Sequence, residues 1–276
     1  MNARVASPPQ LPAASPEHAP PRLLEQTGDL ILFAGKVLRA LPRTVRLYPA
    51  EVMRQAGDLI RSNLIIILFM MSMLAALVAV TGSFLFEGIG LESYVGVMPS
   101  VAVMRGVGEI VFGWILATKA GCGIVAELGA MRISEEIDAM EVMGVRSISY
   151  LVGTRLVAAL LVVPPLFLAG LGLNFLVGKV FFVDVLGTVS SGGYSDVLFL
   201  VQGPRDLGIA LLWASILGFL VILVSCYYGY NVSGGPVGLG QSTARSMLVN
   251  LVVISTVSMI MANSFYANVL TEPIGT

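Results

Sequence analysis

Five stretches of this sequence are each long and apolar enough to cross a lipid bilayer. They run approximately from Leu64 to Phe86, Val101 to Val125, Tyr150 to Gly178, Leu207 to Tyr230 and Met247 to Leu270. About 20 helical residues suffice to traverse roughly 30 Å of hydrocarbon. With 56% hydrophobic and 12% charged residues, and a mean hydropathy of +0.87, the chain lies outside ordinary soluble composition. It reads as an all-α integral membrane protein with five transmembrane helices. The third stretch is overlong and contains Pro164 and Pro165, so a kink or tilt is expected there.

Three regions precede or contain these spans. Residues 1–21 form a Pro/Ala-rich leader without an apolar run, read as disordered. It lacks the charged-then-apolar layout of a cleaved signal peptide, so the first span is expected to stay attached. Residues 22–62 carry amphipathic helices. In the first, Leu30, Ile31, Ala34, Val37, Leu38 and Leu41 oppose Lys36, Arg39 and Arg43, and Pro42 interrupts the pattern. In the second, after Pro49, Val52, Met53, Ala56 and Ile60 oppose Arg54 and Arg61. Neither is apolar enough to span, and basic residues beside an apolar face suit helices lying in the membrane interface. Residues 63–276 form the five-span domain.

Lys and Arg set the orientation. With the N-terminus inside, Arg22, Lys36, Arg39, Arg43, Arg46, Arg54, Arg61, Lys119, Arg132, Arg146, Arg155 and Arg245 all fall on the cytoplasmic side, and only Arg105, Lys179 and Arg205 outside. The arrangement is N-in and C-out. The connection from about Lys179 to Asp206 is then external, with a short apolar part able to dip into the interface.

Between the second and third spans lies ELGAMRISEEIDAMEVMGV, Glu127 to Val145. At about 100° per residue, Ala130, Ile133, Ile137, Met140 and Gly144 share one narrow apolar stripe. Arg132, Glu135, Glu136, Asp138 and Glu141 occupy the rest, with Met131 and Val142 close together among them. A tight connection needs only a handful of residues. Here a full two-faced helix, 127–145, is expected on the cytoplasmic side, with a polar side able to meet another protein.

The remaining residue types exclude much chemistry. The only histidine, His18, sits in the leader, which removes His-based metal sites and Ser-His or Cys-His catalysis. Cys122 and Cys226 lie in apolar runs and read as buried thiols rather than a disulfide. No phosphate-binding loop of an ATPase is present, so the chain itself is expected to bind no ATP and no metal. No basic patch with interleaved aromatics indicates nucleic acid.

Several smaller features stand out. Gly113, Ala117 and Gly121 recur every four residues, a spacing that lets helices approach closely, either within one subunit or between two. Arg105 and Glu109 are one turn apart at the outer end of the second span and form a candidate ion pair. Lys119 either snorkels to the surface or pairs with Glu127. The loop from Asn231 to Ser246 holds Gly234, Gly235, Gly238, Gly240 and Arg245, and is expected to be a tight turn capped by Ser242 or Thr243 at the start of the last span.

Taken together, AELGAMRISEEIDAMEVMGV (Ala126–Val145), its lead-in KAGCGIVAELG (Lys119–Gly129) and the late loop GYNVSGGPVGLGQSTARSMLVN (Gly229–Asn250) resemble the MlaE/YrbE family. These are the permease subunits of MCE-associated ABC lipid transporters. The resemblance covers roughly Leu59 to Leu270. It implies a permease in the plasma (inner) membrane that dimerises with an identical or homologous second permease subunit and sits on cytoplasmic ABC ATPases, which bind ATP and Mg. The central stretch corresponds to the family's coupling helix. Glu127, Met131, Arg132, Glu135, Glu136, Asp138 and Glu141 would then contact the ATPase, with Ile133, Ile137 and Met140 facing the membrane domain. MCE proteins would dock outside, and the cargo would be a lipid such as a phospholipid, fatty acid or sterol. Its cavity wall is expected from the first, second and fifth spans.

The sequence departs from the family in two places. Where the family often carries Arg-Glu-Leu-Gly-Pro, this chain has Arg105-Gly106-Val107-Gly108-Glu109, and the usual lead-in arginine is Lys119. Such drift suits a permease of the actinobacterial type, paired with a non-identical partner. Two other classes compete with a non-catalytic transport subunit. An intramembrane enzyme of lipid metabolism needs clustered carboxylates or His at membrane depth, and an ion-coupled secondary transporter needs midplane acids and an inverted repeat. The sequence supplies neither pattern.

Overall fold

A computed structural model describes residues 23–266. The leader 1–21, the end of the fifth apolar stretch at Leu270 and the C-terminal tail lie outside these residues. The helices are α1 (Leu23–Leu47), α2 (Pro49–Gly88), α3 (Pro99–Ile133), α4 (Glu136–Val142), α5 (Ile148–Val185), α6 (Ser191–Val201), α7 (Pro204–Tyr230) and α8 (Gly235–Tyr266). No strand occurs among the described residues. Five of the helices, α2, α3, α5, α7 and α8, are long and apolar enough to cross a membrane.

The helix boundaries differ from the sequence expectation in three places. α1 runs through Pro42, where an interruption is expected from the sequence. The amphipathic helix after Pro49 and the first span are one uninterrupted helix of 40 residues, so the boundary drawn at residue 62 falls inside it. Between Pro49 and Gly82 Gly57 is the sole intervening glycine and no proline follows Pro49, so nothing there stops propagation. The last span begins at Gly235, not after a long loop. Pro236 occupies the first turn, where its missing N–H is harmless. Gly234 and Gly235 take φ of +84° and +67°, which leaves a turn of only a few residues after Asn231. Thr243, expected as a cap, lies inside α8 with its hydroxyl donating to the Leu239 carbonyl at 2.9 Å. The expected disturbance at Pro164 and Pro165 does not end α5, whose helix continues through both.

The core is built by close helix approach around small residues. Gly170 on α5 faces Met71 and Ile67 of α2, and Asn174 donates to the Met71 carbonyl at 2.8 Å. Gly218 on α7 admits Val163 of α5. The Phe112 and Phe167 rings meet edge-on at 5.1 Å, and the buried Trp213 indole donates to Ser258 on α8 at 3.2 Å. The Gly113-Ala117-Gly121 stripe packs inside the subunit. Gly113 meets Ile254, and Gly121 meets the Ser225 hydroxyl, which accepts from Asn250 at 3.0 Å. Cys226 is buried, Cys122 is partly buried, and both are free thiols.

α1 is pinned to the base of this bundle. Phe33 stacks edge-on against Tyr227 at 5.5 Å, and Thr44 donates to the Ser149 carbonyl at 3.1 Å. Its opposite face exposes Ile31, Leu32, Leu38 and Val45. At the other end of the bundle, α6 seats Tyr194 and Leu198 against Phe182 and Val95 in a second apolar cluster. Burial pushes the Tyr194 phenol up to about 12.

Candidate functional site

The connection between α3 and α5 is an elbow rather than one helix. α3 runs to Ile133, Ser134 closes it, and Glu135 takes the left-handed conformation at φ +59° before α4 begins. Ser134 favours this break by donating its hydroxyl back to the Ala130 carbonyl at 3.0 Å, which competes with helix continuation. Glu135 is the one non-glycine residue with positive φ among those described. Gly144 ends the elbow at φ +80°. The expectation of a continuous helix over Glu127–Val145 is therefore corrected, and with it the shared stripe. Ile137 is fully buried and Met140 packs on the core, but Ile133 is 38% exposed. Met131, grouped with the charged residues, is half-buried against the core.

The acidic residues divide into two sets. Glu127 accepts from Arg155 on α5 at 2.8 Å. Glu141 accepts from the Tyr230 hydroxyl at 3.2 Å and from Ser147, and these two hydroxyls lie 2.8 Å apart. Both carboxylates thus brace the elbow against α5 and α7. Arg132 and Asp138 pair across the break at 2.6 Å. Glu135 and Glu136 face outward, Glu136 accepting from Ser134 at 3.0 Å. Val142 and Met143 form a bare apolar tip, 89% and 72% exposed. Sequence periodicity did not single out Met143, although a continuous helix also places it among the charged residues, between Arg132 and Glu136. The signal available was Gly144, which ends a helix one residue later.

The late loop reaches the same region. At Gly129 on α3 a Cβ would lie 2.4 Å from Leu239 and 2.9 Å from Val232, so this glycine seats the start of α8 directly on the base of the elbow. Gly238 is held 3.3 Å from the Gly234 carbonyl through its N–H, and a Cβ there would strike the Ser233 carbonyl. Arg245 sits apart from Gly129, in a small cleft with Asp29 and Tyr228.

The candidate pair of Arg105 and Glu109 is not formed. Arg105 donates to Asp206 at 3.0 Å and to the Val201 carbonyl at 2.8 Å, and stacks over Tyr266 at 5.6 Å. The helix is broken at Arg105 and Gly106, which turns the guanidinium toward α6 and α7. Glu109 is fully buried, with neither carboxylate oxygen hydrogen-bonded. Lys119 is exposed, and Arg155 rather than Lys119 pairs with Glu127.

Comparison with known proteins adds the family. The family described as Permease MlaE matches residues 52–263. A probable ABC transporter permease protein of Rickettsia conorii is 26% identical over 249 residues, covering 89% of this chain and 94% of that protein. One of Rickettsia bellii is 28% identical over 181 residues, covering 66% and 70%. The chloroplastic protein Trigalactosyldiacylglycerol 1 of Arabidopsis thaliana is 27% identical over 185 residues, 66% of this chain and 51% of that protein.

Proposed function

The chain belongs to the MlaE permease family, and from that premise we propose that it couples ATP hydrolysis in a separate cytoplasmic ATPase to lipid movement within an MCE system. It is a multi-pass membrane protein and an ABC transporter permease, a non-catalytic subunit. The finer reading places it in the plasma membrane, N-in, paired with a second permease subunit and with MCE proteins on the outer side. Cargo is a phospholipid, fatty acid or sterol. The glycolipid in the name of the Arabidopsis relative supports a lipid.

The observation that carries this reading is the braced elbow with its apolar tip. Glu127–Arg155 and Glu141–Tyr230 tie its two ends to different spans, while Val142 and Met143 project into solvent. Exposed apolar residues rimmed by charge mark a protein contact, and a rigidly tied contact passes a push into the bundle instead of absorbing it. Glu135 and Glu136 supply the rim. α2 and α8 bury only 28% and 22% of their most apolar windows inside the chain, whereas the other spans bury half or more. Those two bare faces suit a second subunit and a lipid cavity between the copies.

The test is co-purification of the ATPase with charge-reversed E135K/E136K and with Met143→Asp. Loss of the ATPase, with membrane insertion intact, is the expected result. An ATPase that stays bound and lipid-stimulated in both variants overturns the coupling role of the elbow.

A further inference from the structure

A cavity of about 280 Å³ opens between α2, α3 and α5 at the end of the bundle that carries the elbow. Its size is near the lower limit of small-ligand pockets, roughly 300 Å³. The lining has an unusual charge pattern for its position. Lys119 and Arg155 supply two cations, and Asp58 and Glu127 supply two carboxylates. Arg155 and Glu127 are paired with each other, whereas neither Lys119 nor Asp58 joins an ion pair among the described residues.

Two buried polar groups in this lining are left unsatisfied. Asn63 is fully buried; its amide N–H donates to the Leu59 carbonyl and to Ser62, but its side-chain oxygen accepts nothing. Arg155 is 4% exposed; it donates from its terminal nitrogens to Glu127 and to the Leu151 carbonyl, but its Nε–H has no acceptor. A buried donor or acceptor left unmade costs about 1–3 kcal/mol, so these two atoms, though sealed from solvent, are the candidate contacts for a bound group. One orphan needs a donor and the other needs an acceptor.

We propose that this cavity is a binding site for a phospholipid headgroup that carries a primary ammonium beside its phosphate. The phosphate accepts from Arg155 Nε and lies near Lys119. The ammonium donates to the Asn63 oxygen and lies near Asp58. A choline headgroup has no N–H to give Asn63, and a glycerol headgroup has no charge to give Asp58. The balanced lining therefore selects a zwitterion with donor hydrogens. A lipid is favoured over a free headgroup by what continues from the mouth. Ser62 lines the cavity, and Ile66, Phe69, Met70 and Met73 follow it on the same side of α2, all exposed, forming a track for an acyl chain. The inference rests on the membrane-spanning reading of these helices and not on any ATPase, so its test is performed without one.

Gly123 lines the cavity, and a Cβ on it meets no atom within 4 Å. Gly123→Leu projects a side chain from this open position into the cavity, and Gly172→Leu, at an equally open position on α5, is its control. The full chain in detergent is mixed with equal amounts of dioleoyl phosphatidylethanolamine, phosphatidylcholine and phosphatidylglycerol, and retained lipid is read by native mass spectrometry. The ethanolamine lipid is expected to be retained about tenfold over the others, the preference of a charge-assisted hydrogen-bonded site. Lys119→Gln and Asp58→Asn should each reduce its retention about fivefold. Gly123→Leu should abolish it, and Gly172→Leu should leave it unchanged. Equal retention of the three lipids, or retention that survives Gly123→Leu, means that the cavity holds only water and overturns the proposal. Binding of free phosphoethanolamine with no lipid retained overturns the lipid assignment.

Discussion

Arg155 on α5 holds Glu127 on α3 at 2.8 Å, with the guanidinium side 4% exposed and the carboxylate side 56% exposed. The two ends of this contact are therefore not equivalent. Removing the carboxylate strands a buried cation, whereas removing the arginine leaves an acid that water can still reach.

Glu127→Ala is expected to lower stability by about 2 kcal/mol, less than the loss for a fully buried pair because one partner is half in solvent. Arg155→Met should cost less, and the double change Glu127→Leu with Arg155→Met should approach the parent. Thermal unfolding of the four proteins in one detergent measures this. A double variant less stable than either single one contradicts the asymmetry.

Gly229→Val should separate α3 from α7. A Cβ at Gly229 would lie 2.9 Å from the Leu128 side chain and 3.1 Å from the Val125 backbone, and a backbone cannot swing aside. The expected loss is about 2–3 kcal/mol, the usual range for overpacking. Gly172→Ala, with open space around it, should instead gain up to about 1 kcal/mol from helix propensity. Melting temperatures of the pair decide it.

At the opposite end, Arg105 ties the break in α3 to the corner between α6 and α7. Arg105→Gln removes the charge from a half-buried pair and frees the Val201 carbonyl, a loss of about 1–2 kcal/mol. Limited proteolysis should show faster cleavage around Gln202 and Gly203, with the helices of the bundle still protected. Unchanged cleavage there would mean that the corner is held by α6 packing alone.

Topology is testable at two exposed side chains, in a background without the native thiols. A cysteine replacing Met143 should react with a membrane-impermeant reagent only from the cytoplasmic side, and one replacing Leu200 only from the other. Labelling of both from one side would mean that α5 does not cross, and labelling of position 143 only from outside would overturn the N-in orientation.

The spans were legible because length and apolarity alone decide what survives in hydrocarbon. Contacts between distant residues were not. Arg105 has Glu109 one turn away, yet its partner Asp206 lies 101 residues on, reached through a backbone break at Arg105 and Gly106 that periodicity cannot register. The wheel over Glu127–Val145 failed for a related reason. It assumes constant rotation per residue, and the left-handed Glu135 resets that rotation, so that Ile133 and Ile137 end on different sides of the packing. The polar composition of the elbow and the place of Val142 on its polar side were readable; the pairing of Val142 with Met143 as a bare tip was not. The glycines at 235, 238 and 240 suggested loop by propensity, but all three lie in α8, whose Leu239 seats against Gly129.

The unbroken α2 has a mechanical consequence. Forty residues at 1.5 Å each make a rod of about 60 Å, twice the roughly 30 Å of hydrocarbon it traverses. Nearly half of it stands clear of the bilayer core, clasped at one end by α1 and along the other by α5. Such a rod behaves as a lever whose fulcrum is the membrane surface. A sideways displacement applied to the Glu51–Asp58 arm is expected to carry, with the opposite sign, to Met71–Leu85.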